Sequence, residues 1–389
     1  MAAKLRIRMY NILLGDAILV SVPDGADGKA KTRHILIDFG QKFNNEGSDK
    51  SLFEPIYEDI LKQLDGQPLD LYVMSHEHLD HNQGLLYVSA KAGHEVKKEL
   101  KVRHVWMTAS AAPDYYDRFP DAKKQKKLAL DAYEQAERYL AATPSEQTEF
   151  TKTLLDLNNP NATGDCVDFV RSLNPSQTYY IHRGVKTKHA FEKVEFSIWA
   201  PEEDSSVYYG GGGQHIAPLF MGDGERAAVG KGDDVLPPPG VDAGAFYDLV
   251  HARMSGVGDN LLSIDKANNN SSIVFCLEWN GFKLLFPGDA EEKSWALMDE
   301  QNVLKPVHFL KISHHASHNG TPDTNLLEKI LPKTPPDKKV RYAAVSTCLN
   351  AYNGIPHKQT LDEISERVKR VYSTLNDSKP GRWIDVTFG

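Results

Sequence analysis

Cysteine is scarce in this 389-residue chain: Cys166, Cys276 and Cys348 are odd in number, far apart and without a CxxC pair. They offer neither a disulfide framework nor a thiolate zinc site, and Cys276 and Cys348, set in apolar strand-like runs, read as reduced core residues. No apolar run approaches the roughly 18 to 20 residues that a membrane span requires. Residues 1–11 alternate basic and apolar side chains without the continuous apolar segment of a secretory signal. A cytoplasmic protein with no membrane segment is the expectation. Positive charge is also in deficit. A formal charge of -8 argues against a broad nucleic-acid-binding surface and leaves a polyanion only a local basic groove.

The remaining composition, 41% hydrophobic and 25% charged residues, suits a packed globular core, and the length admits two ordinary domains or one large α/β domain with insertions. Short runs rich in Val, Ile, Leu or Tyr predict strands over 5–10, 17–22 and 34–37; a helix over 52–64 and an apolar strand over 71–74 follow. Helical spacing over 121–157, broken at Thr143-Pro144-Ser145-Glu146, predicts a two-helix insertion whose second helix starts near Pro144 and Ser145. Glycines at 210–213 and prolines at 237–239 interrupt periodicity except around 243–254, so 205–265 reads as a Gly/Pro-rich insertion with one short helix, a candidate active-site lid. Strands are predicted again over 272–279, 282–286, 308–312, 341–346 and 383–387, with helices near 291–298, 325–330 and 358–372. Two similar halves, each β-rich then helical, predict a single α/β domain over 1–389, built as a four-layer αββα sandwich.

The densest cluster of ligand-type side chains is Ser75-His76-Glu77-His78-Leu79-Asp80-His81, directly after the strand over 71–74. His76 and His78 are two apart, so an extended backbone aims both imidazoles to one side, where they can share one cation. Asp80 and His81 come as the chain turns toward the next helix and can face a second ion. Imidazole with carboxylate suits zinc, with manganese or iron as substitutes. A helical zincin pair would need histidines at i and i+4, which this spacing does not supply. The bland alternative is an exposed His-rich loop.

Two neighbouring ions also need a bridging carboxylate. Asp289, ending the run Leu284-Leu285-Phe286-Pro287-Gly288-Asp289, is the candidate, although Asp before Ala290-Glu291-Glu292 equally suits a helix N-cap. Leu310-Lys311-Ile312-Ser313-His314-His315 places histidine after another strand. His315 is expected to complete the second ion's shell, His314 to face substrate or stand behind the ligands, and His318 to lie on the surface.

With these motifs in order along the chain, the sequence resembles the metallo-β-lactamase superfamily, and within it the nuclease-like domain of ComEC-type DNA-uptake proteins and their soluble relatives. Gly15-Asp16-Ala17, Ile37-Asp38-Phe39-Gly40, Asn270-Ser271-Ser272, Lys311 to Ser317 and Asn353-Gly354-Ile355-Pro356-His357 carry the resemblance beside the histidine motif. It implies that Asp16 and Asp38 hold the site's loops by hydrogen bonds behind the ligands; an ordinary turn aspartate is the competing reading. Two features depart from the pattern. Ala316 stands where glycine commonly follows the paired histidines, and no glycine-flanked histidine completes the first ion's shell, His182, His215 and His251 being weak candidates. If His76, His78 and Asp289 are that ion's only ligands, water or substrate fills the shell and the ion binds less tightly.

The implied chemistry is hydrolysis by a hydroxide formed between two divalent ions, with Asp80 orienting it and His314 hydrogen-bonding the substrate or protonating the leaving group. A phosphodiester, of nucleic acid or of a smaller molecule, is the expected substrate. A carbonyl ester, lactone or thioester is the alternative, and a partner-binding protein with a structural metal site, using the helices of 121–157, is a third reading.

Overall fold

The computed structural model describes residues 4–25, 31–42, 52–144, 147–209, 257–348 and 354–389. Two mixed sheets pack face to face. The first contains β1 (Leu5–Tyr10), β2 (Ala17–Pro23), β3 (Thr32–Phe39), β4 (Leu71–Met74), β5 (His104–Thr108) and β6 (Thr178–Ile181); the second contains β7 (Glu195–Ala200), β8 (Val274–Trp279), β9 (Phe282–Phe286), β10 (Phe309–Lys311), β11 (Tyr342–Val345) and β12 (Arg370–Ser373). The last strand, β13 (Trp383–Phe388), returns to the first sheet, whose order is β13-β1-β2-β3-β4-β5-β6; the second runs β12-β11-β10-β9-β8-β7.

Period-two alternation sorts the side chains into layers. Ile35, Ile37, Leu71, Val73 and Trp106 face Phe275, Leu284, Phe286 and Phe309 in the core between the sheets. Leu36, Tyr72, Met74 and Val105 point the other way, against helices Phe53–Leu64 and Leu79–Ala90. Leu285, Leu310, Ala343 and Val345 likewise pack on helices Glu292–Glu300 and Thr324–Ile330. The result is an α/β sandwich with helices on both outer faces.

In each sheet an antiparallel part passes into a parallel one: β3-β4-β5-β6 and β9-β10-β11-β12 are parallel. Parallel strands send their carboxyl ends, and the loops that leave them, to one edge, which is where open α/β sheets place ligands. Asp38 lies in the last two residues of β3, and His76, Asp289 and His315 follow the ends of β4, β9 and β10.

Two predicted boundaries are corrected. The helix expected over 358–372 stops at Ser365, and Arg370–Ser373 instead forms β12, in parallel register with Tyr342–Val345. Pairing of Val371 and Tyr372 on a sheet edge outweighs the helical spacing read there. The second helix of the 121–157 insertion begins at Glu149, because Thr148 and Thr151 form a reciprocal capping box. Helices Pro160–Arg171 and Val257–Asn270 were not anticipated. The expected helix around 243–254 and most of the 205–265 insertion lie outside the described residues. No helix among the described residues is long and apolar enough to cross a membrane.

Burial pushes the His34 imidazole on β3 down to about 4. The unfolded chain therefore takes up a proton below about pH 6.5 that the folded chain refuses until about pH 4. The stability contributed by neutral His34 is whole above pH 6.5 and is lost as pH falls through that window. Urea unfolding at pH 7.0 and 4.5 should show a smaller acid destabilisation for His34→Gln than for wild type, and equal pH slopes would contradict this.

Candidate metal centre

The chain leaves β4 through Ser75 and enters helix Leu79–Ala90 at once, so Asp80 and His81 lie inside its first turn. An acid there is favoured by the helix dipole. His76, His78, Asp80 and His81 are all buried, with no more than 3% of their surface accessible, which rules out an exposed histidine loop. Two glycines press on this turn. A Cβ on Gly40 would stand 2.3 Å from His81 N and 2.4 Å from the Asp80 carbonyl carbon, and one on Gly15 would stand 2.7 Å from Asp80 O.

Asp289 follows β9 and does not cap the next helix. That task falls to Asn270, whose Oδ1 accepts from Glu291 N at 3.2 Å and from Ser294 N at 2.8 Å. His314, His315 and Ala316 have φ of 44°, 53° and 65°, three successive non-glycine residues in the left-handed region. Each costs roughly 1–2 kcal/mol. The turn is held by Ser313 Oγ donating to Ala290 O at 2.6 Å and by His357 N donating to Ala316 O at 2.8 Å.

These segments bring ligand atoms of Asp80, His81, Asp289 and His315 within 4.8 Å of one another. The partners behind the rings decide which nitrogen each offers. Ser75 N and Oγ donate to the two Asp38 oxygens, each at 2.7 Å, and His81 Nδ1 donates to Asp38 Oδ2 at 2.9 Å. His81 Nε2 then faces Asp289 Oδ2 at 3.1 Å. His315 Nδ1 donates to the Ser346 carbonyl at 2.9 Å, leaving Nε2 at 3.5 Å from Asp80 Oδ2 and 3.4 Å from Asp289 Oδ2. His315 Nε2 and Asp80 Oδ1 are buried and make no hydrogen bond among the described residues.

Lone pairs thus face carboxylate oxygens, an arrangement stable only with a positive charge between them. Without a cation that charge is a proton: burial disfavours charged His81, but Asp289, Asp80 and Asp38 raise it well above the ordinary histidine range. His76 is lowered well below it by burial and by His81 and His78. The donor set of imidazole and carboxylate fits a divalent metal, which would replace the proton. These buried groups could therefore hold a metal ion.

The structure brings Asp80, His81, Asp289 and His315 together, sets the His76 ring 4.2 Å from that of His81 with His78 beside it, and places Asp16 and Asp38 against His81. Asp16 Oδ1 accepts from Ser346 Oγ, and its Oδ2 pairs with Lys311 Nζ at 2.5 Å. His318 is exposed. His182 is elsewhere, bonded to the Arg183 carbonyl, and His215 and His251 lie outside the described residues.

Four participants escaped the sequence reading. Lys311 is fully buried between Asp16 and Asp289, 3.2 Å from Asp289 Oδ1. A lysine inside an apolar strand was a usable signal. Asp265 and Glu291 form a second group with His314, whose Nδ1 lies 3.0 Å from Glu291 Oε1. Asn158 meets His78 from the end of helix Glu149–Leu157. Glu291 sits two residues past Asp289, whereas nothing local marks Asp265 or Asn158. No family model matches the chain, and no curated protein matches it significantly.

Two outcomes follow. Lys311→Met strands the Asp16 and Asp289 carboxylates and should cost about 3–5 kcal/mol in denaturant unfolding; a loss below 1 kcal/mol would contradict the pairing. Gly40→Ala must displace the Asp80–His81 backbone, so the purified variant should retain less than half the metal of wild type by elemental analysis, and full retention would refute that dependence.

Proposed function

We propose that this chain is a metal-dependent hydrolase of the metallo-β-lactamase type, holding two divalent cations, zinc or in its place manganese, and cleaving phosphodiesters. The observation that carries the reading is the convergence of His81 Nε2 and His315 Nε2 on the Asp80 and Asp289 carboxylates, from three separate strand ends. The helix–sheet–sheet–helix layering and the order of motifs support it, and the resemblance to a nuclease-like branch favours a phosphodiester over a carbonyl substrate. Two such cations supply a water acidified to about pKa 7 and offset negative charge on the substrate oxygen.

The chain's own residues do the rest. Asp80 Oδ1, buried and without a hydrogen bond among the described residues, accepts a hydrogen bond from the attacking water and orients it. His314 is charged at neutral pH: burial opposes this, but Glu291 and Asp289 raise it to about 9. Glu291 and Ser317 occupy its Nδ1 side at 3.0 Å each, which leaves Nε2–H for the substrate's phosphoryl or leaving oxygen.

Turnover of bis(p-nitrophenyl) phosphate and of single-stranded DNA, with zinc or manganese, tests the reading beside a lactone and a thioester. Diester cleavage abolished by a chelator and restored by metal is expected; cleavage of the carbonyl substrates alone would move the reading to an esterase. Inertness toward all of them, with one stable protein partner captured, would make the site structural. His314→Gln should lower kcat about 10²- to 10⁴-fold with metal content unchanged; unaltered kcat would remove His314 from the reaction.

A further inference from the structure

Asn158 ends helix Glu149–Leu157, and the orientation of its side-chain amide is fixed by what surrounds it. Its Nδ2 lies 2.9 Å from the Leu154 backbone carbonyl and 3.0 Å from Asp265 Oδ1. A carbonyl can only accept, so the nitrogen belongs on that side and Oδ1 on the other. Asn158 Oδ1 accepts from Asn268 Nδ2 at 2.8 Å and stands 3.0 Å from His78 Nε2. An amide oxygen cannot donate, so His78 carries a proton on Nε2 and turns Nδ1 toward His76.

The facing ring obeys the same logic. Ser75 Oγ gives its proton to Asp38 Oδ2 and so accepts from His76 Nδ1 at 3.0 Å, which leaves His76 Nε2 bare. His76 Nε2 and His78 Nδ1 face one another across 3.1 Å. Two imidazole ligands of one tetrahedral zinc stand about 3.3 Å apart, given Zn–N bonds of about 2.0–2.1 Å. The 3.1 Å spacing suits a hydrogen bond between the rings in the metal-free chain and comes close to that of two ligands of a shared cation.

We infer that Asn158, anchored by Leu154 and Asp265, is the positioning residue that sets His78 in its Nδ1-ligating tautomer, so that the helical insertion is built into the first cation site. The inference rests on reading the cluster as a metal centre. A plain helix C-cap would explain the bond to Leu154 O but not the burial of Asn158 against His78, nor Asp265 behind it. From Asp265 the network continues: Asn269 Nδ2 donates to Asp265 Oδ2 at 3.2 Å and to Glu291 Oε1 at 2.9 Å, and Glu291 holds His314. Helix Val257–Asn270 thus backs His78 on one side of the centre and His314 on the other.

The test is zinc titration of the full chain against a competing chelator, with ring-nitrogen NMR of the metal-free protein labelled with ¹⁵N-histidine and His78→Gln used for assignment. Asn158→Leu should weaken one of the two ions about 10- to 100-fold and spare the other, with the His78 proton no longer confined to Nε2; the loss of buried hydrogen bonds also lowers the metal-free Tm, which by itself would not single out one ion. Titration of Asn158→Leu identical to wild type, or equal weakening of both ions, would overturn the inference. If wild type binds no ion, the metal-centre reading fails by itself, and the ring spectra still decide whether Asn158 sets the tautomer: an unprotonated Nε2 on wild-type His78 would end that claim.

Discussion

Four aspartates, Asp16, Asp38, Asp80 and Asp289, are taken almost wholly out of water in one cluster, and everything around them answers to that concentration of negative charge. An unpaired buried carboxylate costs several kcal/mol even after relaxation. Lys311 is the fixed positive charge set between two of them, and His81 is drawn toward its charged form by three. One lysine and one proton leave a surplus of acid that a divalent cation would balance.

The backbone is arranged so that this cluster can exist. Parallel strands from both sheets end at one edge and deliver the acids and histidines there, while the apolar faces of the same strands build the core between the sheets and hold those ends still. Strain is accepted where aim matters: three left-handed residues at His314–Ala316 turn His315 inward, and Ala316 keeps φ 65° at a position where glycine would be at ease. Gly15 and Gly40 let two loops lie directly against the Asp80 carbonyl. Asn270 takes over the cap of the helix after Asp289, freeing that carboxylate for the centre.

Much of this was legible in the chain because the chemistry is local. His76 to His81 crowd five ligand-type side chains into six positions behind an apolar strand, and β4 and β9 fall where their apolar runs say. Asp289 read alone suited a cap, and only the distant Asn270 overturns that. The run over 358–372 kept helical spacing beyond Ser365, but a free edge of the second sheet claimed Val371 and Tyr372. Asn158 and Asp265 had no local mark at all. Their roles depend on two insertion helices meeting over His78, a contact between residues 107 positions apart that no pattern within either segment encodes.

Crystals grown with zinc and recorded at its absorption edge test the central claim most directly. The account predicts two anomalous peaks about 3.5–4 Å apart, one against His76 and His78, the other among Asp80, His81, Asp289 and His315. Anomalous density absent from this cluster, with His81 and His315 still facing the carboxylates, would contradict it.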